Sequence, residues 1–405
     1  MRKINKSTML ILLLAVSNSA VYGVPYIKDT FYELMKNAMK LSHTQIGIAS
    51  SMYGIVATFS YLLGGIVADF ISAKKLLFTS LVGMGTLSVL LSMNPGYIWY
   101  VAIMAMMGIF SVLTFYPAAI KTLVFLGGEE HQGNAFGMFD FGISLANMAI
   151  SLLSLAIVYI MHHHVESFFL VVRAYGIICL ICAGIMGKAI RQWEAQKTER
   201  TQINIKHYIE CVRSEKVWLM SGIVLCAYFI TSSLSYINAY LSQVLEMNKD
   251  IIYLLAIIRL NVMVTILAPV IGKIVDHLGT SMPVVITSFI ILILSFAGIT
   301  LWYDVKKLSL LLIGLVLVSS AMSVTLKIIA YMPIQEMRIN AEVQGFVIGF
   351  VSFIGYLPDS FYYGVMGNVL DRYPVGGFQI IFLGSVVMAI FGMVCGKILQ
   401  RKLKN

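Results

Sequence analysis

From residue 7 to residue 396 the chain alternates between apolar, charge-poor runs of about 20 residues and short polar connectors. As an α-helix, rising about 1.5 Å per residue, such a run spans about 30 Å of hydrocarbon. In lipid the backbone must satisfy its own hydrogen bonds, so these runs are predicted to be helices. Twelve are expected, at 7–27, 44–68, 75–94, 97–126, 132–160, 167–188, 217–244, 250–275, 282–303, 308–335, 344–367 and 376–396. The longest hydrophilic stretch, Lys188 to Lys216, falls between the sixth and seventh. The expected organisation is an N-terminal six-helix bundle (1–187), a cytoplasmic linker (188–216) and a C-terminal six-helix bundle (217–405). The fold class is that of an all-α polytopic membrane protein.

Composition agrees and excludes the alternatives. The 405 residues are 59% hydrophobic and only 12% charged, whereas soluble domains are about a quarter charged. The first apolar run follows Arg2, Lys3 and Lys6 but lacks a clear small-residue cleavage site, so it reads as a retained helix rather than a signal peptide. Five scattered cysteines make no disulfide framework, and the CxxC pair Cys179 and Cys182 sits in an apolar run. The net charge of +10 lies mostly between the spans, without the dense mixture of basic and aromatic residues that nucleic acid needs. With both termini in the cytoplasm, and Lys75, Lys188 and Lys273 at span ends counted as cytoplasmic, 18 of the 29 Lys and Arg are cytoplasmic, 7 external and 4 in span interiors. That bias orients the chain by the positive-inside rule, in a bacterial cytoplasmic (inner) membrane.

The two halves echo each other. Gly65-Ile-Val-Ala-Asp69 recurs 207 residues on as Gly272-Lys-Ile-Val-Asp276. Glu130-His-Gln132-Gly133-x-x-x-Gly137 recurs 212 residues on as Glu342-Val-Gln344-Gly345-x-x-x-Gly349. Two matches at nearly one offset argue for duplication into parallel repeats. The small residues spaced by four let helix backbones approach closely, which suits either sliding gate helices or static packing.

With these motifs the whole chain resembles the major facilitator superfamily. Its signature between helices two and three is matched by Gly65, Asp69, Lys74 and Lys75, while Phe70, Ser72 and Ala73 depart from it. The second copy keeps Gly272, Asp276 and Gly279 but has Thr280 and Ser281 where basic residues are usual. The resemblance implies two six-helix bundles with pseudo-two-fold symmetry. It also implies that Asp69 holds the cytoplasmic side shut from a helix N-terminus of the opposite half. A carboxylate is favoured at that positive helix end. The competing reading is an aspartate that merely ends a span in water.

Charges within the spans carry the functional signal, because each costs about 2.5–3.5 kcal/mol at the bilayer centre on insertion scales. They are Lys121, Asp140, Arg173, Arg259, Lys327 and Asp359. If the family's arrangement holds, helices one, four, seven and ten line a cavity with two, five, eight and eleven beside them, and five of the six charges fall there. Arg259, Lys327 and Asp359 lie deepest, the second provided its helix continues through Pro333. Lys121 either faces the cavity or snorkels to the cytoplasmic surface. Asp140 shares a helix face with Ser144 and Asn147, whereas Arg173 reads as an interface anchor. Tyrosines accompany the charges: Tyr331 beside Lys327, Tyr356 and Tyr363 beside Asp359, Tyr236 and Tyr240 in helix seven, and Tyr22 and Tyr26 in helix one. Tyr97, Trp99 and Tyr100 suit an aromatic belt instead.

With Arg173 set aside, three cations face two anions, which fits a small organic anion, with Arg259 as a bidentate carboxylate partner. The expected solute-binding set is Arg259, Lys327, Lys121, Tyr331, Tyr236, Tyr240, Tyr22, Tyr26 and Tyr356. Asp359 and Asp140 are either proton-coupling groups or ion-pair partners. Within the family the nearest analogy is organic-anion carriers. The expected activity is alternating-access transport, proton-coupled, or by exchange or facilitation without protons. A sensor is the competing class, though the chain after Gly396 is short. No catalytic residue, cofactor or metal is expected, and His162, His163 and His164 read as a solvated loop. The expected partners are the solute, the lipid bilayer and protons, with the chain a monomer that binds no nucleic acid.

Overall fold

A computed structural model describes residues 6–127, 132–189, 211–337 and 341–404. Every long apolar run is helical, and no strand occurs among the described residues. The chain forms two compact units. The first comprises Met1–Leu41 and Met52–Arg200, and the second Ser42–Ser51 and Thr201–Asn405.

The first unit runs through α1 (Lys6–Gly23), α2 (Lys28–Met39), α3 (His43–Phe70), α4 (Ala73–Leu91) and α5 (Tyr97–Gly108). A π-helical stretch, Ile109–Phe115, joins α5 to α6 (Tyr116–Gly127), followed by α7 (Gln132–Ile160) and α8 (Glu166–Ala189). Pro117 explains the widened turn: it has no N–H for the ladder, and the Tyr116 N–H reaches back to the Ser111 carbonyl. The tightest crossing in this unit joins α4 to α8. A Cβ on Gly176 would lie 2.9 Å from the Gly85 carbonyl oxygen, and one on Gly85 would lie 3.0 Å from that of Gly176. Only glycine allows backbones this close.

The polar connector expected after the first span is instead α2, bent 43° from α1. Phe31, Leu34, Met35, Ala38 and Met39 recur at helical spacing and are buried. Lys28, at its start, is 3% exposed.

The second unit contains α9 (Glu215–Leu234), α10 (Ile237–Gln243) and α11 (Lys249–Ile257), then a π-helical stretch (Ile258–Val262) leading into α12 (Met263–Leu278). It continues with α13 (Met282–Trp302), α14 (Ser309–Ile328), α15 (Met332–Glu336), α16 (Ala341–Gly355), α17 (Leu357–Arg372) and α18 (Gly376–Lys404). The helix expected to run on through Pro333 breaks at Ile329–Tyr331. Proline offers no N–H and crowds the carbonyl four residues back, here that of Ile329. The eleventh span breaks likewise at Tyr356, ahead of Pro358.

Among the described residues nine helical stretches are long and apolar enough to cross a membrane, and ten if α1 and α2 count as one bent span. The remaining expected spans correspond to the 28-residue α3 and the broken pair α16 and α17.

Candidate functional site

In the second unit, α9 presents Tyr228, Thr231 and Ser232 at spacings of three and four, hence on one helix face. The Tyr228 hydroxyl donates to that of Tyr356 over 3.1 Å, with the rings edge-on at 4.2 Å. Tyr331, exposed to the same network by the break in its helix, also donates to Tyr356 over 3.1 Å and shares a 2.8 Å hydrogen bond with Ser352. The Lys327 ammonium lies 5.7 Å from the Tyr228 ring centroid, a cation–π distance. Asp359 stands in the first turn of α17, where its charge suits the helix dipole, and accepts from Ser232 Oγ over 2.8 Å. Thr231 and Ser323 share a further bond of 2.9 Å. The two breaks thus bring hydroxyls, one cation and one carboxylate together beside one face of α9.

Arg259 sits in the π-helical stretch between α11 and α12, 3% exposed. Its Nη2 donates to Asn238 Oδ1 over 3.2 Å. The extra residue in a π turn re-aims the side chains around it. Tyr236 donates to the Tyr363 carbonyl over 2.8 Å. Tyr240 departs from this group: its hydroxyl donates to the Tyr303 carbonyl over 2.7 Å, and its ring packs on Phe378 and Phe382.

The first unit builds a related cluster. Tyr22 donates to the Ser111 carbonyl over 3.2 Å, and Tyr53 shares a 3.1 Å bond with Ser111 Oγ. The Tyr26 ring meets Tyr53 edge-on at 5.7 Å, and the Lys28 ammonium lies 5.5 Å from the Tyr26 centroid. Lys28 also pairs with Asp29 at 3.0 Å. Lys121 lies elsewhere, donating to the Ala68 carbonyl over 2.6 Å near the far end of α3. Asp140 is exposed on α7, with Ser144 and Asn147 half-buried, and exposed Arg173 donates to Ser92 over 3.3 Å. His162 and His163 take left-handed conformations in the α7–α8 turn. Among the described residues no three His, Cys, Asp or Glu side chains converge as a metal site.

Of the gate motifs, Lys74 and Lys75 lie in the first turn of α4. Gly272 and Asp276 lie in α12, which Gly279 caps at φ +68°, a conformation glycine adopts without strain. Beyond it, Thr280 and Ser281 find an acid in place of the basic residues they lack. Thr280 Oγ1 donates to Glu336 Oε2, while the Ser281 N–H and hydroxyl both donate to Oε1, each over 2.6 Å. The carboxylate therefore caps α13 from α15. Glu130 lies outside the described residues, as do the surroundings of Gly65, Asp69, Gln132, Gly133, Glu342, Gln344 and Gly345.

Tyr53, Ser111, Tyr228, Ser232, Asn238 and Ser352 join these networks without having stood out in the sequence. All are uncharged polar residues in apolar runs, and their helical spacing to the charged positions was the available signal. Lys28 and Asp29 fall between the first two expected spans, and the apolar spacing behind them marks an amphipathic helix.

A family model described as the Major Facilitator Superfamily matches residues 8–362. The inner membrane protein YihN of Escherichia coli K12 is 26% identical over 412 residues, covering 99% of this chain and 97% of its own. The inner membrane protein YqcE of the same organism is 21% identical, covering 94% and 91%. Among solved structures, a variant of the nucleoside transporter NupG superposes with a TM-score of 0.75 at 16% identity, covering 98% of this chain and 99% of its own. A bacterial homologue of the human lysosomal transporter Spinster gives 0.70 at 14%, covering 98% and 96%. At these identities the solved structures establish the fold. With that family model matching most of the chain, this multi-pass membrane protein belongs to the major facilitator superfamily of transporters rather than to any enzyme family.

Proposed function

We propose that the protein carries a small organic anion, a carboxylate or sugar acid, across the cytoplasmic membrane by alternating access of two six-helix halves. The halves are residues 1–187 and 217–405, joined by the linker 188–216, with both termini cytoplasmic, and the protein works as a monomer. The observation that carries this reading is Arg259. A guanidinium 3% exposed in an apolar span is rare and costly to place there, Asn238 orients it, and its planar fork matches the geometry of a carboxylate. Lys327 adds a second cation, and the Tyr228, Tyr331 and Tyr356 hydroxyls offer donors and acceptors to a polar solute. Asp359 is the proton-coupling group in this reading, with Asp140 as a second candidate. Exchange without protons is the alternative, favoured by the engagement of Asp359 with Ser232.

Reconstitution into liposomes tests this with radiolabelled mono- and dicarboxylates, sugar acids and neutral sugars, with and without a pH gradient. Saturable uptake of an anion, lost in Arg259→Ala, is expected. Uptake of neutral sugars alone, indifferent to that substitution, would overturn it. Loss of pH-gradient dependence in Asp359→Asn separates symport from exchange.

A further inference from the structure

The helical path from α1 to α2 breaks where Gly23 ends α1 and Pro25 follows, so that α2 begins at Lys28. The apolar runs alone put Lys28 in an outer connector, but its neighbours put it deeper. The Tyr26 ring meets Tyr53 edge-on at 5.7 Å, and Tyr53 shares a 3.1 Å hydrogen bond with Ser111. Tyr53 is the eleventh of the 28 residues of α3, about 5 Å from the midpoint of that helix. Ser111 is the fifteenth of the 31 residues from Tyr97 to Gly127. Both lie near the middle of their spans. The Lys28 ammonium stands 5.5 Å from the Tyr26 centroid and 3.0 Å from Asp29 Oδ1. At 3% exposure Lys28 is as buried as Arg259.

The second unit carries a break at the corresponding place. Its first span parts between α9 and α10 at Ser235 and Tyr236. Tyr26-Ile27-Lys28 aligns there with Tyr236-Ile237-Asn238 at an offset of 210, between the offsets of 207 and 212 that relate the two motif pairs. Asn238 is the residue that accepts from Arg259. Lys28 therefore occupies, in the duplicated half, the place of the group that orients the second unit's buried cation.

We propose that Lys28 is a solute-binding residue of the first unit, its ammonium taking an anionic oxygen of the carried solute. Helix interruptions at corresponding positions of two repeats make room for polar side chains and are the usual setting of a solute site. An ionisable residue within a span is costly and marks a solute or ion path by default. An ammonium has three donors and no fixed plane, so it can share itself between Asp29 and an anionic oxygen. The assignment rests on the anion reading above and deepens it, because the first unit then supplies a cation of its own.

The test uses the full chain in detergent, with Tm followed by tryptophan fluorescence as acetate, succinate, gluconate or glucose is added. A ligand of the folded state raises Tm with its concentration. An anion that protects the parent should bind about tenfold or more weakly to Lys28→Gln and within about threefold of the parent to Lys28→Arg. With the five native cysteines replaced, Lys28→Cys should bind as poorly as Lys28→Gln. Aminoethyl methanethiosulfonate, which rebuilds an ammonium on the thiol, should restore protection, and the sulfonate reagent of similar size should not. These two adducts read the charge even where Lys28→Gln folds poorly. Affinity unchanged in Lys28→Gln but lost in Arg259→Ala would overturn the Lys28 assignment and leave the anion reading standing. A loss in Lys28→Cys that aminoethylation does not mend would make the residue a part of the fold alone, and overturn the assignment too. So would failure of both reagents to reach position 28, read by mass, since a solute must reach it. No protection of the parent by any anion would overturn the anion reading and this assignment with it.

Discussion

Glu336→Ala tests how this chain dispenses with the basic residues its second signature copy lacks. The substitution deletes the acceptor of three hydrogen bonds of 2.6 Å from Thr280 and Ser281 and uncaps α13. Fully buried bonds to a charged acceptor contribute about 1.5–3 kcal/mol each. Glu336 is only half-buried, so water recovers part of that for the two hydroxyls. The loss then falls near the upper end of the helix-cap range, about 2 kcal/mol. For a cooperative unit of this size, 1 kcal/mol shifts Tm by about 2–4 °C, so a fall of about 4–8 °C is expected. Glu336→Gln keeps one acceptor oxygen and should lose about half as much. Tryptophan fluorescence of the detergent-solubilised protein reads the transition, and hydrogen exchange at Ser281 and Met282 reads the cap. Ser281→Ala on top of Glu336→Ala should add little, since the two share one interaction. An Ala variant melting within about 1 °C of the parent, with unchanged exchange, would refute this account of the cap.

The α4–α8 crossing predicts that Gly176→Val costs about 1–3 kcal/mol through backbone separation, visible as lower Tm and lower yield of folded protein. Tyr240→Phe removes a bond to a helix-end carbonyl and should lower stability by about 1 kcal/mol while leaving uptake per folded protein unchanged. Tyr356→Phe should do the reverse, raising the KM for the transported anion severalfold with little change in Tm. Burial pushes the Asp371 carboxyl up, but the hydrogen bonds from Thr44, Ser42 and His43 outweigh it and hold the group below its ordinary range. A depressed carboxylate stabilises above its free pKa and loses that stabilisation as pH falls through the lowered one. The Tm difference between the parent and Asp371→Asn should therefore stay constant from pH 8 to about pH 5. It should collapse only below about pH 4.

The helical spans were legible because hydropathy over 20 residues decides whether a segment can leave water. The breaks at Tyr331 and Tyr356 were less so. Pro333 and Pro358 signalled them, yet proline is tolerated within membrane helices when neighbours satisfy the freed backbone groups. Arg259 stood out because a charge in an apolar run is costly wherever it points. Its partner Asn238 did not, since uncharged polar residues occur throughout such helices. The amphipathic α2 was hidden by its polar face, which reads as a loop when Lys28, Asp29, Glu33 and Lys36 are counted without their spacing. Asp371 was invisible for a different reason. It accepts the His43 N–H at the start of α3, and a cap on a residue 328 positions away leaves no trace in local sequence.

In the function proposed above, the buried Arg259 site binds a carried anion. Counterflow in liposomes is its most direct measurement, because labelled solute accumulates against unlabelled solute only through a carrier. Proteoliposomes preloaded with an unlabelled carboxylate or sugar acid should accumulate the labelled form transiently. Arg259→Lys should weaken that accumulation by losing the bidentate geometry, and Arg259→Ala should abolish it. Counterflow of a neutral solute unaffected by either substitution, with none for any anion, would contradict the account.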